Sequence, residues 1–130
     1  MPANFDNITT GKLYTRPQLA SLWGFRSYHA FAKGVFNPSK SNLIILFVTK
    51  EKQKSLQQYN DLLVDDVLYM DGEDKGGTDL RIENSANQND EIHLFYREIH
   101  HRPFTYHGIF ILTSTRHQTE GPSRFQFAKQ

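Results

Sequence analysis

Histidines and carboxylates are the residues of this chain whose types most readily do chemistry. His93, His100, His101 and His107 fall close together, with Glu91 and Glu98 among them and Asp71, Glu73 and Asp79 upstream. Imidazole and carboxylate suit zinc, manganese or iron. The spacing matches no metal signature, however: there is neither H-E-x-x-H nor C-x-x-C. His100 and His101 are adjacent, so in an extended chain they point to opposite faces, and no metal site or cofactor is predicted. A metal-dependent nuclease would need clustered acids with a lysine. Asp71, Glu73, Asp79 and Lys75 supply those types, but in a glycine-rich run (DGEDKGGT) without a rigid strand to position them. The serines stand in turn or capping contexts with no G-x-S-x-G, and Gly76-Gly77-Thr78 lacks the frame of a phosphate loop. No catalytic constellation emerges.

A binding pattern has more material. Aromatic and basic residues interleave in Tyr14-Thr15-Arg16, in Trp23-Gly24-Phe25-Arg26-Ser27-Tyr28-His29 and in Tyr96-Arg97-Glu98-Ile99-His100-His101-Arg102. Arginine and lysine neutralise phosphates, and exposed aromatics stack on bases. The bland account makes Trp23, Phe25 and Phe31 core, and Arg26 and Arg102 surface solubilisers. Charge adds to the binding pattern. The net charge is only +1, yet residues 61–91 hold ten acids against Lys75 and Arg81, leaving thirteen basic and four acidic residues elsewhere. One part of the surface is therefore basic while another repels polyanions.

Length and composition bound what can position these groups. The 130 residues suit a single domain with a core of its own. There is no cysteine, which excludes disulfides and thiolate metal sites and makes a reducing compartment, the cytoplasm, the expectation. No apolar run is long enough for a membrane helix, and the N-terminus lacks the pattern of a signal peptide.

The strongest pattern is at residues 91–114, which reads as two β-strands. In the first, Ile92, Leu94 and Tyr96 alternate with Glu91, His93, Phe95 and Arg97. In the second, Phe104, Tyr106, Phe110 and Leu112 are expected on one face, with Gly108 in register among them. The polar connection 98–103 is displayed at the end of the pair and closes on Pro103, which suits a strand boundary. Residues 43–49 are continuously apolar and β-branched, hence a strand buried on both faces.

The rest is shorter. Residues 1–11 are expected as a loose arm. Thr15 and Gln18 have capping-box spacing with Pro17 in the first turn, predicting a helix over 16–23 that Gly24 ends. A second helical piece is expected over 28–33, an extended start at 34–36, a turn-rich loop at 37–42 and a short strand at 67–70. One or two helical turns are expected within 79–86, and residues 123–127 alternate with Phe125 and Phe127 inward. The fold class is α+β: a mostly antiparallel curved sheet or open β-barrel with short helices at one end, in one domain over 1–130.

The order of segments also resembles a bacterial domain of unknown function found C-terminal to superfamily II DNA helicases and beside HNH-type nucleases. The matching pieces are Tyr14-Thr15-Arg16, Gly34-Val35, Leu46-Phe47-Val48-Thr49-Lys50, Tyr59-Asn60-Asp61, Ile92-His93-Leu94-Phe95-Tyr96-Arg97-Glu98, Pro103-Phe104-Thr105-Tyr106-His107-Gly108 and Gly121-Pro122-Ser123. The chain departs from that pattern at Tyr69-Met70-Asp71-Gly72-Glu73-Asp74, where those domains carry an aromatic, Ser/Gln-rich stretch; this suggests a separate, nuclease-linked branch. The resemblance implies a DNA-processing setting, often restriction or phage defence, with a nuclease or helicase as partner. It supplies no catalytic residues.

The resulting expectation is a non-catalytic module that reads double-stranded DNA, including modified bases. Arg16, Arg26, Lys33, Lys40 and Arg102 would hold phosphates. A concave surface near Tyr28, His29 and the 69–79 segment would inspect a base, with Asp71 or Glu73 accepting from an exocyclic amino group. Tyr28 or Tyr69 would stack on a flipped base. A small metal-dependent nuclease and a protein-interaction module are the competing classes.

Overall fold

The computed structural model describes residues 5–31, 34–37, 42–51, 62–71, 90–99, 102–116 and 124–130. The expected helical turns within 79–86 and the loop at 72–78 lie outside these. Strands dominate: β1 (Leu13–Tyr14), β2 (Val35–Phe36), β3 (Leu43–Glu51), β4 (Leu62–Val64), β5 (Val67–Asp71), β6 (Glu91–Ile99), β7 (Phe104–Arg116) and β8 (Arg124–Lys129). They form one sheet in the order β2-β3-β6-β7-β8-β5-β4, with β1 added to β7. The expected α+β class holds, and so does the placing of 43–49 and 91–113 in one sheet. Every pairing is antiparallel except β3 with β6, which run parallel from Leu43↔Glu91 to Glu51↔Ile99.

The doubly buried reading of 43–49 follows from that central position. Ile44, Leu46 and Val48 enter one core, while Ile45 and Phe47 enter another on the opposite face. The first core also takes Val35 from β2, Leu68 and Met70 from β5, Tyr96 from β6 and Phe127 from β8. Strands from both ends of the sheet share it, so the sheet curls around it and this face is concave. The second core lies on the outer face of β3, β6 and β7, beneath a helical layer.

That layer follows its sequence signals closely. Helix α1 (Arg16–Trp23) carries the predicted capping box: the Gln18 amide donates to Thr15 Oγ1, and the Thr15 amide donates to Gln18 Oε1. Gly24 closes it in the left-handed conformation, at φ 76°. Leu19, Ala20 and Trp23 are buried, and Trp23 meets Phe31 edge-on with ring centroids 5.3 Å apart. Of the expected helical piece over 28–33, Tyr28–Phe31 form a 3₁₀ turn, and residues 32 and 33 lie outside the described residues. No helix among the described residues is long and apolar enough to cross a membrane.

Two expectations need correction. First, the segment 5–11, although mostly exposed, is tied to the sheet: Phe5 stacks on His93 with ring centroids 3.7 Å apart, and the Gly11 amide donates to the Tyr106 carbonyl. An aromatic at position 5 has an apolar surface to bury and finds it on β6.

Second, the aromatics of β7 do not share a face. Phe104 and Tyr106 belong to the outer core, Phe110 and Leu112 to the concave one. The register with β6 shifts between Leu94↔Gly108 and Phe95↔Tyr106, so His107 is an extra residue in a β-bulge. Gly108, at φ 94°, supplies the backbone conformation for it.

The expected short strand at 67–70 is β5, and it forms a hairpin with β4. The two are joined by Asp65 and Asp66, both left-handed (φ 51° and 63°). That is the backbone of a type I′ turn, whose twist suits tight hairpins.

Candidate functional site

The site lies where the bulge interrupts β7. His107 shares the concave side with Thr105 by ordinary alternation, Tyr106 between them facing outward, and the shift at the bulge brings Gly108, Phe110 and Leu112 round to that same side. Tyr96 of β6 lies opposite Thr105 in register, and its ring meets that of His107 at 72°, centroids 6.0 Å apart. These groups line an open cleft of about 610 Å³ together with Leu63, Arg97, Glu98, Ile99, Arg102 and Pro103. Leu63 comes from β4, at the far end of the strand order, so the curl of the sheet closes the cleft from that side. The cleft is thus the concave mouth at the β6–β7 end.

Its chemistry is mixed in a useful way. Tyr96 is buried and supplies an aromatic wall. His107 is held below the usual histidine range by burial and then by the charge of Lys129, with Asp66 opposing; it is therefore neutral at physiological pH. Glu98 offers a carboxylate. Its partner Lys50 is 3.8 Å away, with side chains 42% and 72% exposed for Lys50 and Glu98. A pair so exposed contributes under about 1 kcal/mol, so a ligand's hydrogen-bond donors compete with it easily. Arg102 stands on the rim, its carbonyl accepting from Arg97 Nη1 at 3.0 Å. A planar ring with edge donors, carrying a negative charge nearby, is the ligand such a cleft suits.

Behind the cleft, on the outer face, lies a second polar system. Arg97 Nε donates to Thr49 Oγ1 at 2.8 Å, and its guanidinium sits 4.2 Å from the Phe104 ring centroid. Deeper in, buried His93 joins Tyr106 through Nδ1 (2.7 Å) and Glu91 through Nε2 (3.2 Å). A carboxylate only accepts, so Nε2 carries the proton and Nδ1 accepts from the Tyr106 hydroxyl. Burial lowers the His93 pKa, against the pull of Glu91, and pushes the Tyr106 hydroxyl up to about 12. With Phe5 stacked over His93, this chain of hydrogen bonds ties the N-terminal segment to the sheet. His93 and His107 face opposite sides of the sheet, so they cannot share a metal ion.

No protein-family model matches the chain, and no curated protein matches its sequence. Solved structures do match. The SRA domain of SUVH5 in complex with hemi-methylated CG DNA superposes with a TM-score of 0.67 at 14% identity, over 100% of this chain and 94% of that one. The same domain bound to fully hydroxymethylated CG DNA gives 0.67 at 13% identity with the same coverage. Its complex with methylated CHH DNA gives 0.64 at 14% identity, again with that coverage. The chain has the SRA fold. At this identity the likeness is one of architecture.

Within this SRA-like fold the sequence-predicted residues are dispersed. Arg102 lies at the cleft. Arg16 is half-buried in the outer core, its Nε donating to the Phe31 carbonyl at 3.1 Å. Arg26 is exposed in the link after α1. Tyr28 and His29 are exposed and mutually stacked, ring centroids 5.3 Å apart, on the helical layer. Tyr69 is exposed on β5, on the face opposite Leu68 and Met70 and hence outside the concave core. Asp71 ends β5 opposite Arg124 in register. Lys33, Lys40 and Glu73 lie outside the described residues, as do Lys75 and Asp79.

Of the expected reading surface near Tyr28, His29 and the 69–79 segment, residues 72–79 lie outside the described residues, and Tyr69 stands apart from Tyr28 and His29. The helical layer covers β3, β6 and β7, whereas β5 lies beyond β8. What the structure brings together instead is Tyr96, Glu98, Thr105 and His107. Tyr96 to Arg102 had already stood out as an aromatic–basic run. Its role as cleft wall depended on the curl of the sheet that brings in Leu63 of β4, far away in sequence.

Proposed function

We propose that this domain is a non-catalytic DNA-binding specificity module that reads a modified cytosine in duplex DNA. The observation that carries the reading is the fold shared with SRA domains solved on hemi-methylated, fully methylated and hydroxymethylated CG DNA. The cleft supports it. The target nucleotide is rotated out of the stack and enters the concave mouth, at an unstacking cost of a few kcal/mol. The Tyr96 and His107 rings hold its faces and edge. Glu98 accepts from the exocyclic amino group, as carboxylates do with cytosine N4. Arg102 and Arg26 neutralise phosphates along the strand.

The chemistry that acts on the DNA then comes from elsewhere. In this proposal the module works beside a nuclease, of the HNH type, or a helicase, in restriction or phage defence. The test is a binding screen of the chain on unmodified, 5-methylcytosine and 5-hydroxymethylcytosine duplexes at two salt concentrations, with magnesium or manganese present to detect cleavage. Tighter binding to a modified duplex without cleavage supports the reading. Cleavage abolished by Asp71→Ala or Asp79→Ala would transfer the activity to the nuclease alternative, and no binding to any duplex would leave a protein-interaction module.

A further inference from the structure

The parallel strands β3 and β6 change character at the same level. Ile44, Leu46 and Val48 on β3 and Ile92, Leu94 and Tyr96 on β6 all enter the concave core. Two residues further along each strand, alternation puts Lys50 and Glu98 on that same face. The register, with Thr49 opposite Arg97 and Glu51 opposite Ile99, sets the two side by side. Each apolar row thus ends in a charge, and the two charges are opposite.

The pair is aimed at the cleft. Lys50 Nζ lies 3.8 Å from Glu98 Oε2, and Glu98 lines the cleft. A carboxylate accepts at both oxygens, so a lysine engaged at Oε2 leaves Oε1 for another donor. Without such a neighbour, a glutamate side chain 72% exposed would spread over several rotamers, and a base would have to order it on binding. Its charge would also stand uncompensated where the phosphates of a polyanion approach. A pair this exposed adds little to the fold, but it biases where the carboxylate rests by up to about fivefold.

We propose that Lys50 is a positioning residue of the reading site: it holds the Glu98 carboxylate through Oε2 and leaves Oε1 to accept from the exocyclic amino group of the base. The proposal rests on the DNA-reading function above and deepens it. Lys50 touches neither the base nor a phosphate, and its effect on binding passes through Glu98.

The experiment is a double-mutant cycle at fixed low salt on a duplex with one modified cytosine, with wild type, Lys50→Met, Glu98→Gln and the double variant. Lys50→Met is expected to weaken binding by about three- to fivefold, the scale of an exposed ion pair. Lys50→Arg, which still reaches the carboxylate, should bind as wild type does. In the Glu98→Gln background Lys50→Met should cost nothing further, because the group it acts through is gone. Thermal unfolding of every variant checks the fold, and Lys50→Gln replaces Lys50→Met in the cycle if the latter melts early. The same loss from Lys50→Met in both backgrounds would make Lys50 a phosphate contact and overturn the positioning role. Wild-type affinity in both Lys50→Met and Lys50→Gln would overturn it as well. Glu98→Gln binding as tightly as wild type, or no binding by any of the chains, would instead overturn the reading on which the proposal rests.

Discussion

His107 and Tyr96 meet on the concave side of the sheet, ring centroids 6.0 Å apart. His107 takes that side with Thr105 by ordinary alternation. It is also the extra residue of the bulge, where the register with β6 shifts from Phe95↔Tyr106 to Leu94↔Gly108. The bulge therefore brings Phe110 and Leu112 to the same face as the cleft residues of β7.

Cleft variants should separate preference from affinity. Tyr96→Leu is expected to cut the discrimination between modified and unmodified duplexes by roughly tenfold, the scale of a good base contact, and Glu98→Gln to weaken the hold on the cytosine whatever its C5 substituent. They should leave the salt slope nearly unchanged. Arg26→Ala and Arg102→Ala should weaken binding to all duplexes alike and make the slope shallower by about one unit each. Titrations across a salt series on both duplexes distinguish the two groups.

Much of this fold is legible in the residues. The Thr15/Gln18 box and Gly24 mark α1 to the residue, and the unbroken apolar run at 43–49 announces a strand covered on both sides. The faces of β7 are not legible, because a period-two pattern of Phe104, Tyr106, Gly108, Phe110 and Leu112 fits a regular strand as well as a bulged one. The cleft was half visible for the same reason. Tyr96-Arg97-Glu98 reads as an aromatic–charged run, but which face each residue takes depends on neighbours contributed by β7 and on Leu63 of β4, far away in sequence. Tyr28 and Tyr69 looked equally suitable by type, and only the tertiary structure sets them apart from the concave mouth.

The bulge itself can be stressed. At Gly108 an added Cβ would meet Thr10 Oγ1 at 3.6 Å and Lys129 Cε at 3.8 Å, ordinary contacts, so the cost is conformational and arises from φ 94°. Gly108→Ala should destabilise by about 1–2 kcal/mol, read from chemical denaturation. It should also weaken modified-base preference, since His107 depends on the same backbone.

The hairpin turn predicts the opposite sign. Asp65 and Asp66 both occupy the left-handed region at φ 51° and 63°, where glycine is favoured. Asp66→Gly should raise stability by about 1 kcal/mol, seen as a higher melting temperature with unchanged DNA binding.

Acid should weaken the fold through two histidines. His93 and His107 both have folded pKa values below the ordinary 6.5. Between the folded and unfolded values the unfolded chain binds more protons, so stability is full above pH 6.5 and falls as the pH drops below it. At the alkaline end the Tyr106 hydroxyl, raised to about 12 from 10, makes stability fall as pH rises from 10 towards 12. Tyr106→Phe should abolish that alkaline contribution and cost about 1–3 kcal/mol near neutrality, because it leaves the buried His93 Nδ1 without its donor. Denaturation midpoints across pH, with NMR titration of the His93 ring, check both limbs.

The central claim is that the cleft reads the modification on a cytosine. The most direct measurement is a competition at fixed salt between two duplexes that differ only in the C5 substituent of one cytosine, run with wild type and with Tyr96→Leu. The account predicts at least a tenfold preference of wild type for a modified duplex, largely lost in Tyr96→Leu while binding to the unmodified duplex is retained. Equal affinity of wild type for all duplexes, or a preference untouched by Tyr96→Leu, would contradict it.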